Sequence, residues 1–265
     1  MMRAKGATVY AAVALAAMLP AYLSEAADME PPAPAPTPVQ TPSGWTYTIT
    51  PYLFAAGISG NVGVGRLPEV HFNADFGDIL QNLDFGAMVT GEARYDRYSV
   101  IGDLIYVKVS NDKGTPRGII ANSVEATSKT FTGFLGGGYA LVDAPNGHLD
   151  IVGGARVWSL DNTISFNGGF LDGARADSTK TWVDALAGLK GNYFFTPQLY
   201  ATGWGLVGGG GADIDWDVGA ALGYKFNKTI STELGYRAMG VDYRSDNFVF
   251  DVVLQGPILG LSIHF

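Results

Sequence analysis

Apolar and polar residues alternate with a period of two from Trp45 to Phe265, and this predicts an all-β chain; two further observations decide which kind. Of 265 residues, 36 are Gly and 12% are aromatic, yet only 16% are charged, against about 7% Gly and about 25% charged in ordinary globular chains. After residue 26 no run approaches the ~18 consecutive apolar residues of a membrane helix. Hydrophobicity this abundant (47%) and this evenly spread fits a closed antiparallel transmembrane β-barrel of about ten strands, with eight or twelve as alternatives. Having no Cys excludes disulfide frameworks, thiolate zinc sites, iron–sulfur clusters and cysteine nucleophiles. A net charge of −8 and a pI of about 4.8 lack the basic footprint of a nucleic-acid binder.

The chain opens with Arg3 and Lys5, an apolar run from Ala7 to Leu19 and the helix breaker Pro20. Ser24-Glu25-Ala26 then places small residues at −3 and −1 of a cleavage site before Ala27, so residues 1–26 read as a secretory signal peptide. Taking Arg3, Lys5 and Glu25 from 17 basic and 25 acidic residues leaves 15 and 24, or −9. In residues 27–44, Pro31, Pro32, Pro34, Pro36, Pro38 and Pro42 alternate with small residues, which favours an extended polyproline II tether in the periplasm. The barrel occupies residues 45–265.

Successive side chains of a strand point to opposite faces. In the first strand Trp45, Tyr47, Ile49, Pro51, Leu53 and Ala55 share one face, and Thr46, Thr48 and Thr50 open the other. Phe85, Ala87, Val89, Ala93 and Tyr95 then oppose Asp84, Thr90, Glu92 and Arg94, and Tyr98, Val100, Leu104 and Tyr106 oppose Asp103. Phe131, Leu135, Tyr139 and Leu141 continue the scheme; Leu149, Ile151, Ala155 and Val157 follow, opposite Asp150, Arg156 and Trp158. Val183, Ala185, Ala187, Leu189 and Tyr193 face away from Trp182, Asp184, Lys190 and Asn192. Leu199 to Gly208 is a Gly-interrupted strand whose faces the sequence leaves open. The clearest alternation sets Ile214, Trp216, Val218, Ala220, Leu222, Tyr224 and Phe226 against Asp213, Asp215, Asp217 and Lys225, and Ile230, Leu234 and Tyr236 then oppose Glu233 and Arg237. Phe248–Leu254 and Pro257–Phe265 complete ten strands, and their apolar phases are offset by one at Gly256-Pro257, where a bulge is expected.

Connections alternate in length. Those at Asp96-Arg97, 143–147, Thr196-Pro197 and Asn227-Lys228 are short; those at 61–83, 111–122, 162–178, 209–212 and 244–247 are longer or Gly-rich. Short periplasmic turns and longer extracellular loops mark an outer-membrane barrel, and an even strand count returns both termini to the short-turn side. A soluble β-sandwich shares the period, but aromatic residues concentrated at strand ends match the interfacial girdles of a membrane barrel.

The final residues Gly260, Leu261, Ile263 and Phe265 resemble the C-terminal sorting signal of Gram-negative outer-membrane proteins, although Ile258 stands where a polar residue is usual. That resemblance implies recognition by the barrel-assembly machinery and insertion among outer-membrane lipid and lipopolysaccharide. Residues 45–265 are also similar to a family of small, largely uncharacterised proteobacterial outer-membrane proteins. Trp45-Thr46-Tyr47 with Pro51-Tyr52-Leu53, Asp78-Ile79-Leu80 with Leu83-Asp84-Phe85, Gly154-Ala155-Arg156 with Trp158, Trp182 with Asp184, Gly235-Tyr236-Arg237 and Gly256-Pro257 carry the likeness. It implies a fold and a location, and no substrate.

The expected inward set is Glu92, Arg94, Asp103, Arg156, Asp184, Lys190, Asp217, Lys225, Glu233 and Arg237, with Trp158 and Trp182 among them. With five acids and five bases, it suggests a salt-bridged network filling a narrow lumen rather than a pore lined by one sign of charge. Phe76, Ile79, Leu80 and Leu83 fall at helical spacing, which suggests a turn or two packed over the mouth or against the inner wall, with gating of a small solute as its functional reading. Asp213-x-Asp215-x-Asp217 opens like a calcium loop, but Val218 and Tyr224 replace the Gly and Glu that an EF-hand requires, leaving an acidic strand face near the outer mouth. Gly57, Gly60, Gly63 and Gly65 read as a flexible loop. For nucleophilic catalysis only His71, His148 and His264 could serve as base: His71 is placed in the first outer loop, His148 in a periplasmic turn, and His264 beside Ser262 at the periplasmic rim. The sequence therefore predicts a non-enzymatic outer-membrane barrel with a structural or surface-exposed role, without metal or cofactor. A narrow porin-like channel or transporter for small solutes is the alternative, and a lipid-modifying enzyme the second.

Overall fold

The computed structural model describes residues 44–64, 70–114, 123–167, 173, 175–245 and 248–265. The expected signal peptide and, apart from Gly44, the Pro-rich tether lie outside these residues, as does Gly65. The strands are β1 (Trp45–Phe54), β2 (Gly57–Val64), β3 (Val70–Ala74), β4 (Leu83–Tyr95), β5 (Tyr98–Gly114), β6 (Ser123–Ala144), β7 (Gly147–Asn167), β8 (Arg175–Phe194), β9 (Leu199–Gly210), β10 (Ile214–Lys225), β11 (Ile230–Ser245) and β12 (Phe248–His264). A single short helix, α1 (Phe76–Gln81), lies between β3 and β4. All pairings are antiparallel, in the order β1-β4-β5-β6-β7-β8-β9-β10-β11-β12, and β12 returns to β1. The result is a closed ten-stranded barrel with two further strands, β2 and β3, beyond its ring.

The stagger of the ring can be read from the register. Passing from partner to partner, Thr48 leads through Glu92, Ile101, Gly136, Gly154, Leu186, Gly208, Asp215, Val241 and Val252 to Gly60, twelve residues further along the same line of chain. With about 3.3 Å per residue along a strand and about 4.8 Å between strands, that shear fixes a tilt of about 40° and a backbone diameter of about 20 Å. Every position on this circuit faces the lumen.

The outer face is apolar in the middle and aromatic at its edges. At the short-turn end Trp45, Tyr95, Tyr98, Tyr139, Tyr193, Tyr224 and Phe265 are exposed, and several pair across strands, with Trp45 and Tyr95 rings 5.4 Å apart and Tyr98 and Tyr139 rings 5.3 Å apart. Phe85, Tyr106, Phe131 and Trp216 form the opposite edge. Eight residues separate Tyr98 from Tyr106 on β5, about 20 Å of height at this tilt, close to the ~25 Å apolar band of outer-membrane barrels. Beyond that band β6, β7 and β8 continue to 22, 21 and 20 residues, and their outward side chains become polar. There Thr163 donates to Asp177 at 2.7 Å, and this hydroxyl together with Arg175 holds the Asp177 carboxyl below the usual carboxylate range.

Four details differ from the sequence expectation. The connection at 61–83 is no open loop, because Gly57, Gly60 and Gly63 belong to β2, which hairpins with β3, and α1 follows. β1 and β2 run in one register along β12, from Thr48↔His264 to Val64↔Phe248, so they form one line of chain with Ala55 still bonded to Pro257. The expected bulge at Gly256-Pro257 is absent, since the β11–β12 register is unbroken from Ser245↔Phe248 to Ile230↔Ile263. What changes there is the environment: Phe248, Phe250 and Val252 are buried inside, whereas Pro257, Leu259 and Leu261 are exposed outside. Finally, α1 neither covers the mouth nor lines the inner wall. Asp75 caps it with a reciprocal Asp75–Asp78 box and none of its residues is buried; Phe76 shares a surface groove with Tyr236, Gln255 and Pro257, which point away from the lumen.

Candidate functional site

Chemistry is concentrated in the lumen, in three tiers. Nearest the long loops is an apolar tier: Trp158, Leu160, Trp182, Met239, Val241, Phe248, Phe250 and Val252 form one buried cluster with Ile105 and Phe54. Trp182 is its hub, stacked on Tyr243 at 4.1 Å and on Trp158 at 6.0 Å, with the Phe250 ring edge-on at 6.1 Å. Offset and edge-on aromatic contacts of this kind are favourable beyond the area they bury. Trp158 is only 1% exposed, so these rings fill the cross-section rather than border a path.

Below this tier lies a charged waist. Arg156 donates to Asp215 at 2.7 Å and to Asp217 at 2.6 Å. Arg237 donates to Asp217 and to Asp103, both at 2.6 Å. Neutral donors complete the carboxylates: Trp158 Nε1 to Asp215 at 2.8 Å, Trp204 Nε1 to Asp217 at 2.9 Å and the Tyr52 hydroxyl to Asp103 at 2.7 Å. Burying charge is costly unless every lone pair and proton is matched, and the planar guanidinium fork of Arg suits two carboxylates at once. Asp184, fully buried, accepts from Trp182 Nε1 at 3.0 Å and from the Ala212 amide at 2.8 Å.

The third tier, toward the short turns, is a cavity of about 530 Å³ roofed by Asp103, Arg156, Asp217 and Arg237. On one side Glu92 bonds Arg94 and Lys190, and Arg94 and His148 both reach Asp150. On the other, Tyr200 donates to Glu233 at 2.8 Å, Ser262 lies between Thr50 and Glu233, and His264 bonds Thr48 at 3.0 Å and Ser231 at 2.9 Å. Glycine makes room for these side chains: a Cβ on Gly223 would meet the Tyr200 ring at 2.1 Å, and one on Gly219 the Trp204 ring at 2.3 Å.

All ten residues of the expected inward set face the lumen, but they do not form one network. Glu92, Arg94 and Lys190 belong to the lower group and Asp103, Arg156, Asp217 and Arg237 to the waist. Among the described residues Asp184, Lys225 and Glu233 make no ion pair, which corrects the expectation of a single salt-bridged set. Asp150 and Asp215, left out of that set, are central to it. Asp215 and Asp217 are buried at the waist rather than on an acidic face at the outer mouth. His148 sits on β7 facing inward, not in a turn, and His71 lies on β3 bonded to Asn61 at 3.1 Å. His264 pairs with Ser231, not with its strand neighbour Ser262, and Ser231 is wholly buried. Glu92, His148 and Asp150 lie close enough together to suggest a metal site, but Arg94 and Lys190 already supply the positive charge there. Phe76, Ile79, Leu80 and Leu83 do not line the cavity. Of the terminal residues, Leu261, Ile263 and Phe265 face outward and Gly260 inward, and β12 forms the closing edge with β1.

A closed antiparallel ring with an apolar, aromatic-edged exterior and its charged side chains gathered inside has the architecture of an outer-membrane β-barrel. No protein-family model matches the chain, and no curated protein does. Among solved structures it is similar to Ail, the attachment invasion locus protein of Yersinia pestis, at 12% identity over 84% of this chain and 99% of that one, with a TM-score of 0.37. It is also similar to Neisserial surface protein A, at 11% identity over 84% and 99% with a TM-score of 0.33, and to the P. putida toluene transporter TodX, at 10% identity over 84% and 90% with a TM-score of 0.28. The fold assignment rests on this chain's own strand pairing.

Proposed function

We propose that the protein is an integral barrel of the Gram-negative outer membrane, closed to bulk permeation, with a structural role and a role for the surface it presents above the membrane. The observation that carries this reading is the double closure of the lumen, by the Trp158–Trp182–Tyr243 stack and by the Arg156–Arg237 waist beneath it. The short turns and both termini face the periplasm, and the extensions of β6, β7 and β8 face outward. The apolar band contacts outer-membrane lipid and lipopolysaccharide, and the β12 terminus is what the barrel-assembly machinery recognises. No catalytic role is assigned: His264 has hydroxyl partners, but among the described residues the one serine it bonds, Ser231, is buried away from the cavity.

Planar-bilayer recording of the refolded protein tests the closure. Wild-type protein is expected to give no discrete conductance steps, and the double variant Trp158→Ala, Trp182→Ala to give them. Regular steps in the wild type would replace this reading with a narrow solute channel.

A further inference from the structure

The barrel wall is uneven above its apolar band. β8 keeps an unbroken register with β7 up to Ser165↔Arg175, but its ladder with β9 begins only at Asp184↔Gly210. Arg175–Trp182 therefore have a strand on one side and, among the described residues, none on the other. The β9–β10 connection stops just short of them, where the Gly211 amide donates to the Val183 carbonyl at 3.0 Å. That bond also fixes the phase of the edge. The backbone groups of successive strand residues turn to alternate sides, so Thr181, Thr179, Asp177 and Arg175 present N–H and C=O to the open side, and the residues between them bond β7.

The break in pairing coincides with a change in the outward side chains. Val183, 56% exposed, is the last apolar residue on the outer face of β8, and Thr181, Thr179, Asp177 and Arg175 beyond it are polar. The open edge thus begins where the lipid band ends. Natural sheets blunt their edges with short strands, proline or bulges. This edge runs for about 25 Å, contains no proline and shows no register shift against β7. Its outer side chains are tied along the wall rather than across the edge: Thr179 donates to Asp161, and Thr163 and Arg175 to Asp177. Lys180 is turned inward, 5.9 Å from the centre of the Phe248 ring, where its charge disfavours apolar strands without blocking the backbone.

We infer that the open edge of β8 binds an extended polypeptide segment from outside the cell, added as a strand in line with β9. The edge continues the β8–β9 ladder, and β9 ends at Gly210 and β10 starts at Ile214, so no described residue takes that line further. Complementarity of partial charge names the occupant: a row of alternating donors and acceptors at strand spacing is matched along its length by a second extended backbone, which a sugar or a lipid headgroup cannot supply. The inference rests on the reading that the extensions of β6, β7 and β8 face outward.

A fluorescein-labelled heptapeptide, Thr-Val-Thr-Gln-Thr-Val-Thr, titrated with the refolded barrel in detergent reads binding by fluorescence anisotropy. Expected are a saturable rise and its loss when every peptide amide is N-methylated. Thr179→Pro removes a donor from the open side and none from the β7 ladder, and should weaken binding about tenfold. Thr179→Val loses the same hydroxyl but keeps the N–H, and should bind as the wild type does. Gel mobility before and after heating establishes that each variant is folded. Equal binding of the N-methylated peptide, an unchanged curve in folded Thr179→Pro, or no saturable binding up to about 1 mM would overturn the inference. Barrel dimers that form without peptide and are lost in Thr179→Pro would assign the edge to a second copy and overturn it too. The N-methylation comparison needs no substitution and decides the question even if a variant fails to fold. Orientation is read separately, because the chain has no Cys: a membrane-impermeant maleimide should label Arg175→Cys on intact cells. Absence of labelling with peptide binding intact would overturn the outward orientation rather than the edge.

Discussion

Replacing Arg156 by Met is expected to be among the most damaging single changes in the barrel. Asp215 and Asp217 would both remain buried with a charged partner removed, and breaking a buried pair in this way costs about 3–5 kcal/mol. Trp158→Phe removes a single donor to Asp215 and keeps the ring, so a loss of about 1–3 kcal/mol is expected. Urea unfolding from lipid vesicles measures both, and a smaller midpoint shift for Arg156→Met than for Trp158→Phe would contradict the central role of the guanidinium. Alternation alone shows which residues face inward, because each strand has one apolar and one polar face. It does not show which charges meet, since Arg156 on β7 reaches β10 across the lumen, and only the barrel's stagger sets such pairs. For the same reason Asp215 reads as a surface acid and Lys225 as a member of a network it never joins.

At the scale of elements, β3 and β4 are best understood as one strand interrupted. Pro51 pairs with Val89 on β4 and Ile58 with Ala74 on β3, so seven residues of the β1–β2 line face fifteen of its partner. The surplus of eight matches Asp75–Asn82, which is α1 with its two caps. Eight is even, so the excursion leaves inside and outside unchanged on either side of it. Deleting Asp75–Asn82 is therefore expected to preserve the barrel, with β3 running straight into β4. Heat-dependent gel mobility like that of the full chain would bear this out, and loss of the folded band would contradict it. A deletion one residue shorter would invert β3 and should be worse tolerated. The helical spacing of Phe76, Ile79 and Leu80 was legible in sequence; its place outside the wall was not, because the same amphipathic spacing suits lipid or a lumen equally. β12 illustrates a related limit: apolar residues change face at Gly256 because the inside becomes apolar, not because the backbone slips.

For the whole molecule, ten strands were legible from period and turns, and shear was not. Ten strands with a stagger of twelve leave an interior of intermediate width, which this sequence fills with Trp and Phe on one side of the waist and leaves open on the other. A ring closed by hydrogen bonds on all sides, with an exterior that water cannot wet, should keep its fold in detergent and run faster on a gel before boiling than after. A chain that stays monomeric and soluble without detergent would contradict the membrane reading.

The join between the first and last strands has a kinetic consequence. Around the ring, each strand from β5 to β12 pairs with the strand just before it in the chain and β4 with β1, 38 to 50 positions back; β12 against β1 and β2 unites far more distant residues, Thr48 and His264 being 216 positions apart. Contacts between remote parts of a chain form slowly, while neighbouring strands can pair as soon as both exist. The contact order of this protein is therefore low everywhere except along one line, and the time it takes to become a barrel is the time its last strand takes to find its first.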